Sequence, residues 1–185
     1  MTTSSLEREA TLDDLLEFDG RAELIDGEIL PMSGTGHGPA SAAVHIAATL
    51  VMWSRSHGGG YAYGDGASFL VHTPRQQVLS PDAAWWIGTP DPHAPVISGA
   101  PAFVAEVRST TDYGPAAERA MARKRALWFA AGVQVLWDVD VLRRQIIRVF
   151  RAESPDATVV RGRGEIADAE PAVPGWRFPV DELFL

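Results

Sequence analysis

At 185 residues, 46% of them apolar and 22% charged, the chain has the size and composition of one globular domain, neither two domains nor a disordered segment. It holds no cysteine, which excludes disulfides, thiolate zinc sites and cysteine nucleophiles together. A formal net charge of −8 and a pI near 5.0 repel a phosphate backbone, so a protein devoted to nucleic-acid binding is disfavoured; a nuclease is not, because empty acidic metal ligands add negative charge of their own.

The first nine residues, Met1–Glu9, lack an apolar core of signal-peptide length, and no apolar run reaches the roughly 18 residues of a membrane span. A soluble cytoplasmic protein without a membrane partner is expected. Thr11 followed by Asp13 and Asp14 and then by leucines at helical spacing predicts a short helix from Thr11 to Leu16. In Ala22–Leu30 the pair Asp26-Gly27 separates two apolar runs and predicts a hairpin, with Glu23 just before its first strand. Ser33–Gly38 is a glycine-rich connection that lacks the lysine and hydroxyl residue of a Walker loop. A helix follows from Pro39 to about His57, ended by Gly58-Gly59-Gly60; its His45 and His57 have no partner at zinc-ligand spacing.

Tyr61–Gly64 and Ala67–His72 read as strands. Gln77–Ile87 reads as another, whose internal Pro81 predicts an edge or a bulge. Gly88–Pro101 is a proline-rich loop, and Phe103–Val107 is the most buried-looking strand. Thr110-Thr111-Asp112 then predicts the cap of a helix over Pro115–Ala131 that Gly132 ends. Val133–Asp140 and Gln145–Phe150 form a strand pair, and the tail after them, through Pro174–Pro179, reads as irregular and closes on Val180–Leu185. This order predicts a single α/β or α+β domain over residues 1–185, with one central mixed sheet flanked by helices.

Three charges stand where apolar residues belong. Asp82 and Glu106 interrupt runs that otherwise read as buried strands, and Lys124 falls on the stripe of Ala117, Met121, Trp128 and Ala131 when the helix is drawn at about 100° per residue. Lys124 is also the only lysine in the chain; every other basic side chain is arginine. Two carboxylates and an ammonium are the least that metal-assisted phosphodiester hydrolysis requires: Asp82, Glu106 and the carbonyl of Val107 are hard oxygen donors for Mg2+ or Mn2+, and Lys124 orients a water or holds a phosphate oxygen. Substrate guidance would fall to Arg119, Arg123 and Arg125, or to Arg143, Arg144, Arg148 and Arg151.

Read together and in order, several short stretches carry a resemblance: Glu23–Glu28, His37-Gly38, Ser80–Ala84, Val104–Ser109, Lys124 with Ala130–Val133, Leu136–Asp140, Pro174-Gly175-Trp176, and Leu183-Phe184. They make the chain similar to the Uma2 family, also called DUF820, bacterial proteins similar to PD-(D/E)XK restriction-endonuclease-like nucleases. The resemblance implies a restriction-endonuclease-like core with Asp82 and Glu106 as metal ligands. It also implies that Lys124 replaces the lysine usually found two residues after the glutamate, where this chain has Arg108, a poor substitute for handling a water proton. Glu23 resembles the additional acidic residue that some of these nucleases carry, and His37 matches a family position. The expected function is therefore Mg2+-dependent hydrolysis of DNA by an endonuclease that forms a homodimer. RNA cleavage would use the same residues. The alternative is a non-catalytic protein that keeps the nuclease fold for binding or assembly, which the acidic pI favours.

Overall fold

The computed structural model of the chain describes residues 8–184; the expectations for the first seven residues and for Leu185 lie outside the described residues. The short helix α1 (Leu12–Leu16) starts at a capping box, in which the Thr11 hydroxyl accepts the Asp14 N–H and the Asp14 carboxylate accepts the Thr11 N–H at 2.7 Å. Strands β1 (Ala22–Ile25) and β2 (Glu28–Pro31) form the expected hairpin, turned by Asp26 and Gly27 at φ of 53° and 82°. Glu23 lies within β1 rather than before it. Helix α2 (His37–His57) begins two residues ahead of Pro39, so the proline occupies its third position; no backbone N–H in that first turn needs an intrahelical partner.

The remaining strands are β3 (Tyr61–Gly64), β4 (Phe69–Thr73), β5 (Arg75–Leu79), β6 (Ala83–Trp86), β7 (Ile97–Ser98) and β8 (Phe103–Val107). After helix α3 (Pro115–Ala131) come β9 (Val135–Asp140), β10 (Ile146–Arg151), β11 (Ser154–Gly162), β12 (Ile166–Asp168), β13 (Arg177–Pro179) and a 3-10 turn over Val180–Phe184. A central mixed sheet runs β11-β10-β9-β8-β6-β3, with β8 and β9 parallel and joined through α3. The mixed α+β class expected from the sequence is what the chain adopts. Beside that sheet stands a second one, β2-β1-β5-β4-β7, and a small pair, β12-β13.

Four local expectations are corrected. The segment predicted as one strand over Gln77–Ile87 is two, because Pro81 has no N–H to give a ladder; the chain leaves the second sheet after Leu79 and enters the central one at Ala83. Neither half is an edge strand. The helix cap is not Thr110–Asp112 but Gly114, and the Asp112 carboxylate instead accepts the Ser109 N–H at 2.6 Å, closing the preceding turn. The loop Gly88–Pro101 contains the short β7. The tail after Phe150 is not irregular, since β11 pairs along β10 from Ser154 to Gly162 and β12 pairs with β13.

Alternation along the central strands sorts side chains onto two faces. Phe103, Ala105 and Val107 point into a core shared with α2, Trp137, Trp176 and Phe178, where the Phe103 and Trp137 rings meet edge to face at 5.0 Å. Val104, Ala84, Trp86 and Leu136 point the other way, into a core shared with Trp128 of α3 and Phe69 of the second sheet. By the same alternation, Asp82, Glu106, Arg108 and Asp138 belong to this second face.

Candidate active site

The site forms where the chain crosses between sheets. Leaving the ladder at Ser80 frees that residue's backbone N–H and carbonyl, and side chains take both: Glu23 Oε1 accepts the Ser80 N–H at 2.7 Å, and the Lys124 ammonium donates to the Ser80 carbonyl at 3.3 Å. The register Ala83↔Ala105 carries Asp82 opposite Glu106. There the Asp82 carboxylate accepts the Val107 N–H at 2.6 Å, a donor that β6 no longer reaches. From α3, Lys124 lies 3.0 Å from Glu106 Oε2 and 3.0 Å from Glu23 Oε1. Trp128, one turn further along the helix, donates its indole N–H to Glu106 Oε1 at 2.8 Å.

Glu23, Asp82, Glu106, Val107 and Lys124 thus line one cleft of about 490 Å³, walled by the glycine-rich connection at residues 33–36. His37 does not line it; the residue is exposed at the start of α2. Arg108 does not line it either. Its guanidinium is buried on Asp138, at 2.6 and 2.7 Å, and continues to Glu118 on α3, so it is committed to that network rather than to the cleft. The arginines proposed to guide a substrate are mostly engaged: Arg123 pairs with Asp26, Arg148 with Asp138 and Arg151 with Asp168, while Arg125 stacks on Phe150. Two participants escaped the sequence reading. Ser80 acts through its backbone, which leaves no residue-type signal, and Trp128 was counted only as an apolar stripe residue although its N–H shares the Lys124 face.

Three carboxylates around one ammonium leave the cleft with an excess of negative charge. Burial, with Asp82 and Glu23 adding to it against the pull of Lys124, pushes the Glu106 carboxyl up to about 7. Burial likewise raises Asp82, against the Val107 N–H and Lys124. Burial pulls the Lys124 ammonium down, but Glu106 and Glu23 outweigh it and hold the group above the ordinary lysine range, so it stays protonated at neutral pH. Among the described residues no group of three or more His, Asp or Glu side chains is disposed to hold a metal ion. A divalent ion here would rest on Asp82, Glu106, the Val107 carbonyl and water. That all-oxygen donor set suits Mg2+ or Mn2+, and the uncompensated charge is of the size such an ion neutralises.

The raised Glu106 pKa has a sign that melting curves can read. A carboxyl whose folded pKa lies above its unfolded value binds its proton more tightly in the folded state, so its contribution is present below about pH 4.5 and is lost as pH rises towards 7. Glu106→Gln, in metal-free buffer, is therefore expected to melt about 5 °C above the parent at pH 8, on the order of 2 kcal/mol, with the gap closing by about pH 5. A variant less stable than the parent at pH 8 would contradict the assignment.

The family model for Uma2, described as "Putative restriction endonuclease", matches residues 10–181. The chain belongs to the Uma2 family. Among solved structures, this Uma2 chain is similar to a crystal structure from Anabaena variabilis described as a putative nuclease belonging to DUF820, with a TM-score of 0.75 at 17% identity over 94% of this chain and 97% of that one. At that identity the likeness establishes the shared fold. No curated protein matches the Uma2 chain. No helix among its described residues is long and apolar enough to cross a membrane.

Proposed function

We propose that the chain is a Mg2+- or Mn2+-dependent endonuclease that hydrolyses DNA phosphodiester bonds in the cleft of Asp82, Glu106 and Lys124. The observation that carries this reading is that three charges distant in sequence meet in one cleft, with Lys124 at 3.0 Å from Glu106. Asp82 and Glu106, with the Val107 carbonyl, would hold the ion. When bound, the ion supplies a Lewis acid for the phosphate and lowers the pKa of a water. Lys124 remains a cation and acts as a donor, steadying the attacking water or a phosphate oxygen as negative charge grows; it is not the base. Glu23 holds Lys124 and the Ser80 backbone together and is a positioning residue in this scheme. Among the described residues, His37 does not line the cleft and makes no side-chain hydrogen bond or ion pair that supports a part in the chemistry.

The direct test incubates purified protein with supercoiled plasmid in Mg2+, Mn2+ or EDTA. Nicking that needs the metal and disappears in Asp82→Asn is the expected result; cleavage no greater than that of Asp82→Asn overturns it. A second reading, a non-catalytic nuclease-fold protein serving in binding or assembly, is favoured by one feature. The three N–H groups of Lys124 already face three acceptors, Glu23, Glu106 and the Ser80 carbonyl, so a substrate must displace one of them. That reading expects no metal-dependent nicking and no change in melting temperature on adding Mn2+. The proposed protein is cytoplasmic, as the absence of cysteine supports, and homodimeric, as the long edge strand β11 with exposed Val159 and Val160 supports. Light scattering is expected to return the mass of two chains.

A further inference from the structure

Trp128 is completely buried, yet its one polar atom is aimed at the cleft. It stands four residues after Lys124 on α3, and the two side chains grip opposite oxygens of a single carboxylate: Lys124 takes Glu106 Oε2 and Trp128 takes Oε1. A buried indole is a rigid donor, and here its plane is fixed by the Phe69 ring, met edge to face at 6.4 Å, and by the close-packed core around it. Lys124 by contrast swings on a flexible stem and is shared with Glu23. The fixed half of the grip is therefore the tryptophan.

We propose that Trp128 is a positioning residue that locks the Glu106 carboxylate in the orientation required to bind a divalent cation, in the way that hydrogen-bonding partners behind metal ligands set their aim. The inference rests on the proposed metal site. It concerns the N–H alone, since the ring's packing is a separate contribution that phenylalanine largely retains.

The test is Trp128→Phe in the full chain. Mn2+ affinity, followed by the electron paramagnetic resonance of the free ion, is expected to fall by about 10-fold or more while far-ultraviolet circular dichroism stays that of the parent. Affinity within about twofold of the parent overturns the proposal. A second measurement needs neither metal nor activity: the melting temperatures of Trp128→Phe, Glu106→Leu and the double variant, leucine leaving the indole N–H no acceptor at this position. Coupled residues give a double variant whose shift differs from the sum of the single shifts, and simple additivity overturns the proposal. Should the parent bind no Mn2+ at all, the metal-dependent function falls, and additivity or its absence in this cycle still decides whether Trp128 holds Glu106.

Discussion

Lys124→Ala is expected to slow plasmid nicking about 10² to 10³-fold in saturating Mg2+, with the fold retained by circular dichroism. The size follows from what the side chain alone supplies. Arg123 and Arg125 border the cleft, but one is paired with Asp26 and the other lies over Phe150, which leaves Lys124 as the cation held between Glu23 and Glu106. Alanine removes the donor that would meet charge growing on the phosphate, and no neighbour reaches into its place. Lys124→Arg is expected to recover little, because a planar fork does not fit where a compact ammonium faces three converging acceptors. Nicking by Lys124→Ala at the parental rate would remove this residue from the chemistry.

The largest loss of stability is expected from Arg108→Ala, about 3 kcal/mol, or roughly 10 °C in melting temperature for a chain of this size. Arg108 is 3% exposed and its guanidinium makes two bonds to the equally buried Asp138 before extending to Glu118 at the start of α3. Truncation leaves Asp138 in the core with Arg148, 3.3 Å away, as its one ion-pair partner among the described residues, and unties α3 from β9. Glu118 is more than half exposed, so its share of the network is small and the Asp138 side dominates. Arg108→Lys is expected to recover less than half of the loss, since one ammonium cannot serve both carboxylates with the same geometry. Thermal melts of the three proteins decide this, and a loss below about 1 kcal/mol for alanine would mean that the network contributes little.

The position of Arg108 also shows how a sequence pattern and a structure divide the work. The resemblance read from the sequence expects a lysine at that position, and the chain's only lysine, on a helical apolar stripe, is the residue singled out in its place. What occupies Arg108 instead was not legible, because Asp138 lies 30 residues away and meets it only through the β8–β9 pairing. Glu23 and His37 show the same division. Both were singled out alike, but β1 sits beside β5 and delivers Glu23 to the cleft, while His37 stays exposed at the start of α2.

Local chemistry was enough for the hairpin at Asp26-Gly27, the helix over Pro115–Ala131 and the buried strand Phe103–Val107, and for singling out Asp82, Glu106 and Lys124, which the fold brings to one cleft. Turn preference, 3.6-residue periodicity and charge in an apolar run are properties of neighbours along the chain. Tertiary structure alone decided that Pro81 separates two sheets, that Ser80 lends its backbone to Glu23 and Lys124, and that Trp128 holds the second oxygen of Glu106. These contacts join residues 57, 44 and 22 positions apart, and their partners are selected by sheet pairing and by the packing of α3 on the central sheet, neither of which any local stretch contains.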